Sequence, residues 1–254
     1  MPDESPFAMS GYDERSYGEA FADVYDEWYS DLDDDDFAAA VLAACPSGRA
    51  RILDLGTGTG RVLVRHRAAR PDDELAGIDS SPKMLAIARS RPELTGVVFT
   101  EGSFAGILPD GPYDVVAAGY NTLFNLPDDD ALASCLAAVR AVLSDEGRFV
   151  VDCISPPLYS GGDHVGIRTL DAHEVVLSVS RHDPDSGRIT GQFVQFTETG
   201  GVRLRPWSVR YVSPARLDEI AASCGLVLET RNGDGPGATW EPGSSRHVST
   251  YRLA

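Results

Sequence analysis

The sequence is short of basic charge. Its 254 residues hold 22 lysines and arginines against 39 aspartates and glutamates, a formal net charge of −17. A surface that acidic repels polyphosphate at long range, so neither nucleic acid nor an anionic membrane is an expected partner. Cysteine is scarce too. The four, Cys45, Cys135, Cys153 and Cys224, lie far apart and form no C-x-x-C pair, which suggests neither a disulfide framework nor a structural zinc site. They read as reduced core thiols. No apolar run approaches the length needed to cross a bilayer, and the acidic, proline-broken start MPDESPFAMSG lacks a charged-then-apolar leader pattern. Together these absences predict a cytoplasmic protein.

What is present is an ordinary globular composition, 43% hydrophobic and 24% charged, at a length that suits one α/β unit with an embellishment. The stretch Leu53 to Arg61, LDLGTGTGR, is the centre of the chain. It follows an apolar run and sets Gly56, Gly58 and Gly60 in alternation behind Asp54. Glycine has no Cβ and tolerates positive φ, so such a turn lets backbone approach a nucleotide-like ligand closely. The spacing is G-x-G-x-G; a dinucleotide fingerprint would place its third glycine where this chain has Arg61.

In chain order, residues 1 to about 16 read as poorly ordered. Tyr17, Phe21, Val24, Tyr25, Trp28 and Tyr29 then recur at spacings of three and four, the stripe of one helix. The acidic run from Asp31 to Asp36 reads as the charged start of a helix through Phe37, Val41 and Leu42 rather than a metal site. Arg51 to Leu55 is a strand, Arg61 to about Arg70 a helix, and Leu75 to Ile78 a second strand ending in Asp79, 25 positions after Asp54. An acid at that strand tip suits the two hydroxyls of an adenosine ribose. Ser80 to Leu85 opens a helix with Pro82 at its first turn. Val97–Thr100, Val115–Ala118 and Arg148–Asp152 complete five strands, with an amphipathic helix through Leu132, Leu136 and Val139 before the last. Strands alternating with helices predict a doubly wound, mostly parallel sheet.

Beyond Pro156 and Pro157 the alternation Val175, Leu177, Val179 and the runs Arg188–Glu198 and Val202–Tyr211 predict an antiparallel meander. A helix from Pro214 to Cys224 and two strands, Leu226–Thr230 and His247–Leu253, return to the core. The expected organisation is therefore a helical lid region at 1–45, a ligand-binding core at 46–155 and 214–254, and an inserted β lid at 156–213.

The segments Asp54–Gly60, Gly77–Leu85 and Tyr113–Val116 stand in the order and at the separations that resemble the class I S-adenosylmethionine-dependent methyltransferases. The resemblance spans about Ile52 to Asp152. It implies a Rossmann-like fold, S-adenosylmethionine as cofactor and S-adenosylhomocysteine as product. It implies cofactor contacts at Tyr17, Tyr25, Asp54, Gly56, Thr57, Gly58, Gly60, Asp79, Ser80, Met84, Gly102, Ser103, Phe104, Gly119 and Tyr120. Family members commonly carry aspartate where this chain has Ser103, which accepts a hydrogen bond more weakly. The aromatic N-terminal segment, the inserted sheet and the re-entry Arg210-Tyr211-Val212-Ser213-Pro214 also resemble small-metabolite enzymes, including the N,N-dimethyltransferases of deoxyamino sugars.

For the acceptor, Tyr29, Asn121, Asn125, Arg210, Tyr211 and Arg246 are the candidate substrate contacts, and no catalytic residue stands out; Asn125, His164 and Tyr25 are the nearest. The fourth-strand loop offers Asn121, Thr122 and Asn125 rather than paired carboxylates, so no metal is expected. Relatives often have histidine where this chain has Asn125, which leaves that loop without a base. His66 reads as lying on a surface helix and His182 beside a hairpin turn. A neutral amine carries its own lone pair, whereas a hydroxyl must lose a proton. N-methylation of a small amine in a secondary-metabolite pathway is the leading expectation; O-methylation of a hydroxylated metabolite and a cofactor-binding module without transfer activity are the alternatives. A homodimer is left open.

Overall fold

In the computed structural model the described residues are 5–32, 35–155, 162–233 and 237–254. Two sheets organise them. The larger has seven strands in the order β10-β11-β5-β4-β1-β2-β3, and the smaller has four in the order β6-β7-β8-β9. β1 (Arg51–Leu55), β2 (Glu74–Asp79), β3 (Val98–Glu101), β4 (Tyr113–Ala118) and β5 (Leu143–Ile154) run parallel. β11 (Arg246–Leu253) lies antiparallel to β5 and to β10 (Leu226–Asn232).

Alternate residues of a strand face opposite sides of its sheet. In β1, Leu53 and Leu55 join the core under α6 (Asp129–Val142) and α7 (Pro214–Ser223), with Leu136, Val139 and Leu217. Ile52 points the other way, to Phe37 and Val41 of α3 (Asp35–Ala44) and Leu63 of α4 (Arg61–Ala69). Helices therefore cover both faces, as a doubly wound core requires. α5 (Pro82–Ser90) is started by Ser81, whose hydroxyl accepts the Met84 amide, with Pro82 in the first turn.

The smaller sheet is β6 (Gly162–Leu170), β7 (Glu174–Asp183), β8 (Arg188–Thr197) and β9 (Val202–Arg210), antiparallel throughout. Its inner face holds α1 (Ser16–Phe21) and α2 (Tyr25–Trp28). Phe193 meets Phe21 and Trp28 edge-on at 5.8 and 5.7 Å. Arg205, only 1% exposed, donates to the Ala20 carbonyl, to both Asp23 oxygens and to Gln195.

Several expectations need correction. The aromatic stripe is not one helix: a turn at Ala22–Val24 breaks it into α1 and α2, and the rings still converge because the turn folds α2 back toward Tyr17. Residues 5–15 are ordered by packing, with Phe7 and Tyr12 buried and the Ser208 hydroxyl donating to the Phe7 carbonyl. β5 is longer at both ends than Arg148–Asp152, and β6 was not anticipated. Pro156 and Pro157, like Asp33 and Asp34 of the acidic run, lie outside the described residues; Asp35 and Asp36 do occupy the first turn of α3. No described helix is long and apolar enough to cross a membrane.

Candidate active site

The glycine turn begins at the carboxyl end of β1, where open parallel sheets bind ligands. Gly56, Gly58 and Gly60 have φ of 59°, 55° and 81°, the left-handed region that glycine enters without strain. A Cβ at Gly56 would lie 2.7 Å from Thr122 Cγ2, whereas one at Gly58 would meet nothing nearer than 3.9 Å and would stand in the cleft. Asp79 holds the turn: Oδ2 accepts the Gly58 amide and Oδ1 the Ser81 amide, each at 2.8 Å. Burial raises its pKa.

Opposite the turn, the loop after β4 puts Tyr120 and Asn121 at φ of 53° and 58°. Such backbone in non-glycine residues is costly and needs support. Asp152 supplies it, accepting the Tyr120 amide at 3.2 Å while Arg246 donates to its two oxygens at 2.6 and 2.9 Å. The Asn121 carboxamide accepts the Ile154 amide at 2.7 Å.

Between turn and loop lies a cleft of about 280 Å³. Gly56, Gly58, Asp79, Ser80 and Met84 form one wall; Phe104, Tyr120, Asn121, Thr122, Asn125 and Val209 form another. Tyr17, Gly18, Tyr25 and Tyr29 of the N-terminal segment, with Glu14 and Leu32, complete it. The Tyr17 hydroxyl donates to that of Tyr29 at 3.3 Å, and burial first, then the neighbouring tyrosines, keeps Tyr17 protonated well above the usual phenol range. A recess of about 40 Å³ adjoins the cleft, lined by Asp54, Thr57, Thr59, Arg61, Val62 and Gly119 together with shared cleft residues. Asp54 is buried there, and desolvation pushes its pKa up to about 7. The Tyr120 hydroxyl is buried with no hydrogen-bond partner among the described residues.

The N-terminal segment is fastened across this cleft. Thr59 Oγ1 donates to Asp26 at 2.6 Å, and Arg91 bridges Asp26 and the Thr59 carbonyl. Arg61 donates to the Tyr29 carbonyl, the Ser81 hydroxyl to Glu19 and the Ser80 hydroxyl to the Glu14 carbonyl.

The fold thus gathers Tyr17, Tyr25, Tyr29, Gly56, Gly58, Asp79, Ser80, Met84, Phe104, Tyr120, Asn121 and Asn125 around the cleft, and Asp54, Thr57 and Gly119 around its recess. The other expected positions do not line it. Gly60 turns the chain into α4 against Leu94. The Gly102 amide donates to the Asp79 carbonyl, and Ser103 Oγ accepts the Ala105 amide. Arg210 pairs with Asp129 at 2.5 Å, and Tyr211 bonds to His182 at 2.8 Å; the β9 residue reaching the cleft is Val209. Arg246 acts from behind, on Asp152. His164 lies exposed on β6 with its ring over Gly166. Thr122, named with the fourth-strand loop, lines the cleft as well, and Glu14, Gly18, Leu32 and Val209 line it without having been expected there.

Two other groupings lie away from the cleft. A concavity of about 850 Å³ lies at the amino ends of the strands, and its Arg49 and Arg51 are paired with Glu74 at 3.1 and 3.2 Å. Cys45, His66 and Asp73 bring one ligand atom each within 4.8 Å. Asp73 is already committed: it accepts from Arg70, His66 and the Ala50 amide, tying α4 to β1 and β2. This also corrects the surface placement of His66, which is buried, with desolvation lowering its pKa.

A family model described as a methyltransferase domain matches residues 52–147. The chain is 37% identical to the CcbJ methyltransferase from Streptomyces caelestis over 96% of this chain and 100% of that one, with a TM-score of 0.85. It is 36% identical over 121 residues to a demethylmenaquinone methyltransferase of Thermus thermophilus, 46% of this chain and 53% of that protein. The chain spans about half the length of the curated relatives it matches in this way. The S-adenosylmethionine-bound amino pentose methyltransferase CalS10 from Micromonospora echinaspora shares the fold, with a TM-score of 0.67 at 22% identity, covering 95% of this chain and 99% of that one.

Proposed function

The chain belongs to the S-adenosylmethionine-dependent methyltransferases, and from that premise we propose that it methylates the nitrogen of a small amine in a natural-product pathway. The observation that carries this reading is the composition of the cleft wall. Among its described residues are four tyrosines and a phenylalanine but no histidine, lysine or cysteine. A wall without histidine, lysine or cysteine suits an acceptor that brings its own lone pair. Aromatic faces also stabilise the cationic ammonium that forms on nitrogen.

S-Adenosylmethionine supplies, when bound, a methyl group on a positively charged sulfur. The residues present fit it. Gly58 leaves open the space a side chain would fill, the buried Tyr120 hydroxyl lacks a partner among the described residues, and the recess ends in a carboxyl group. In this reading Asp79 accepts from the ribose hydroxyls, while Met84 and Phe104 flank the adenine. Asp54 and Gly56 face the methionine end. Tyr17, Tyr25 and Tyr29 close the cleft and keep water out, and Asn121 and Asn125 orient the acceptor. Positioning of this kind supplies up to about 7–11 kcal/mol of barrier lowering in favourable cases. The described parts of the segment up to residue 45 and of the insertion at 156–213, whose sheet runs from Gly162 to Arg210, enclose the acceptor, and 46–155 with 214–254 hold the donor.

Titration calorimetry with S-adenosylmethionine, followed by assay of S-adenosylhomocysteine release on matched amine and hydroxyl acceptors, tests the proposal. Turnover on amines, including amino sugars, is the expected result. Turnover confined to hydroxyl acceptors overturns nitrogen transfer. Tight donor binding with no product on either set would identify a binding module instead.

A further inference from the structure

We propose that the outer face of the four-stranded sheet is the contact between two copies of this chain. The inner face is covered by α1 and α2, through Arg205 and Phe193. The end of the outer face next to the core is met by Phe7 at Ser208 and by Pro127 at Arg188, while the rows beyond carry exposed apolar side chains. Eleven large apolar side chains stand exposed in the described chain, and seven of them belong to this sheet. The register puts all seven on one side. The row Ile167–Leu177–Val194–Leu204 crosses all four strands, and parallel rows through Val179 and Phe196 flank it. Ile167 and Leu204 are 64% and 58% exposed.

Strands about 4.8 Å apart and same-face residues about 7 Å apart make this patch roughly 20 Å square, on the order of 400 Å² in plan. A contiguous apolar patch of that size is comparable to the largest on a typical monomer, and such patches are often interaction surfaces. Its accessible area exceeds its plan, and with the rim it approaches the ~800 Å² per partner of a stable dimer. The Arg181–Asp163 ion pair marks that rim at one end of the same face. The described rows hold no charged residue in the middle, so a charged peptide or a lipid headgroup has no ion pair to anchor on there. An anionic bilayer is further repelled by the net charge of −17. A flat aliphatic sheet face fits another at about 10 Å. The match available is the same face of a second copy, related by a two-fold axis.

The assignment does not rest on the acceptor. It is tested by sedimentation of the full chain across the micromolar range, in low and high salt. Twice the chain mass is expected, with the dimer strengthened by salt, because both copies are acidic and screening weakens their repulsion. Ile167→Glu and, separately, Leu204→Glu should each give a monomer whose far-ultraviolet dichroism and S-adenosylmethionine affinity match the parent. A parent that stays monomeric throughout overturns the proposal, and so does a dimer that survives both substitutions. Co-sedimentation of the parent with anionic vesicles, stronger than its self-association, would assign the face to a membrane instead. Either variant suffices if the other fails to fold.

Discussion

The Asp79 carboxylate accepts the Gly58 amide at 2.8 Å, so the tip of β2 fixes the middle of the glycine turn that follows β1. One side chain shapes the turn and also faces the cleft. Asp79→Ala removes both roles. Hydrogen bonds to a charged group contribute about 1.5–3 kcal/mol each, so donor affinity should fall by on the order of 10- to 100-fold. Asp79→Asn keeps one acceptor and should lie between. Calorimetry checks both, and an affinity unchanged in the alanine variant would remove Asp79 from the donor site.

The three glycines of the turn are needed for different reasons. Gly58→Ala and Gly60→Ala each force a side chain into left-handed backbone, a cost of about 1–2 kcal/mol. At Gly60 the new methyl also lies 2.5 Å from the buried Leu94 side chain, away from the cleft. At Gly58 it projects into the cleft. Both variants should melt lower, but only Gly58→Ala should lose donor affinity, by tenfold or more. Equal affinities in the two variants would show that the turn is held only for folding.

Asp54 gives the protein a pH signature. Its folded pKa of about 7, raised by desolvation, stands above the ~3.9 of an unfolded aspartate. Between these values the folded state holds the extra proton, so stability falls as pH rises from about 4 to 7, by up to about 1.4 kcal/mol per pH unit. Asp79 and Asp152 are raised by burial as well and add to the parent's slope. The difference between the parent and Asp54→Asn isolates the Asp54 contribution. If the donor's ammonium faces Asp54, binding expels that proton, and affinity should rise as pH climbs toward 7 and then level. Calorimetry in buffers of different ionisation enthalpy reads the proton release directly. Equal stability slopes in parent and variant would place Asp54 at an ordinary pKa.

The turn, Asp79 and the alternation of strands and helices were legible because each is set by residues close in sequence. Glycine spacing, an acid at a strand tip and Pro82 after Ser81 are local signals. What was missed depends on distant partners. Phe7 and Tyr12 look like part of a polar tail until Ser208, two hundred residues on, takes the Phe7 carbonyl. His66 looks exposed on its helix until Asp73 comes back to it across the following turn. Arg210 and Tyr211 are cleft candidates by type, but Asp129 and His182 bind them elsewhere, and Val209 carries the strand's contact with the cleft. β6 was hidden because only Val165 and Ile167 alternate before a bulge between Ile167 and Thr169 puts Leu170 out of step.

Gly18 packs the N-terminal segment directly against the donor wall. A Cβ there would lie 2.4 Å from Ser81 Cβ and 3.1 Å from Met84 Cγ. Ser81 is buried and starts α5, so it has little room to give, and a larger residue must lift α1 instead. Lifting α1 separates the Tyr17 and Tyr29 hydroxyls from the glycine turn they face. The seven-stranded core is untouched by this movement. Gly18→Val should therefore raise the KM for the donor several-fold and lower kcat, with a melting temperature close to the parent's. Proteolysis within residues 5–32 should quicken, because the segment spends longer away from the cleft. Unchanged KM and kcat in a variant whose segment is cut faster would separate the tyrosines from catalysis and leave the N-terminal helices a purely structural cover.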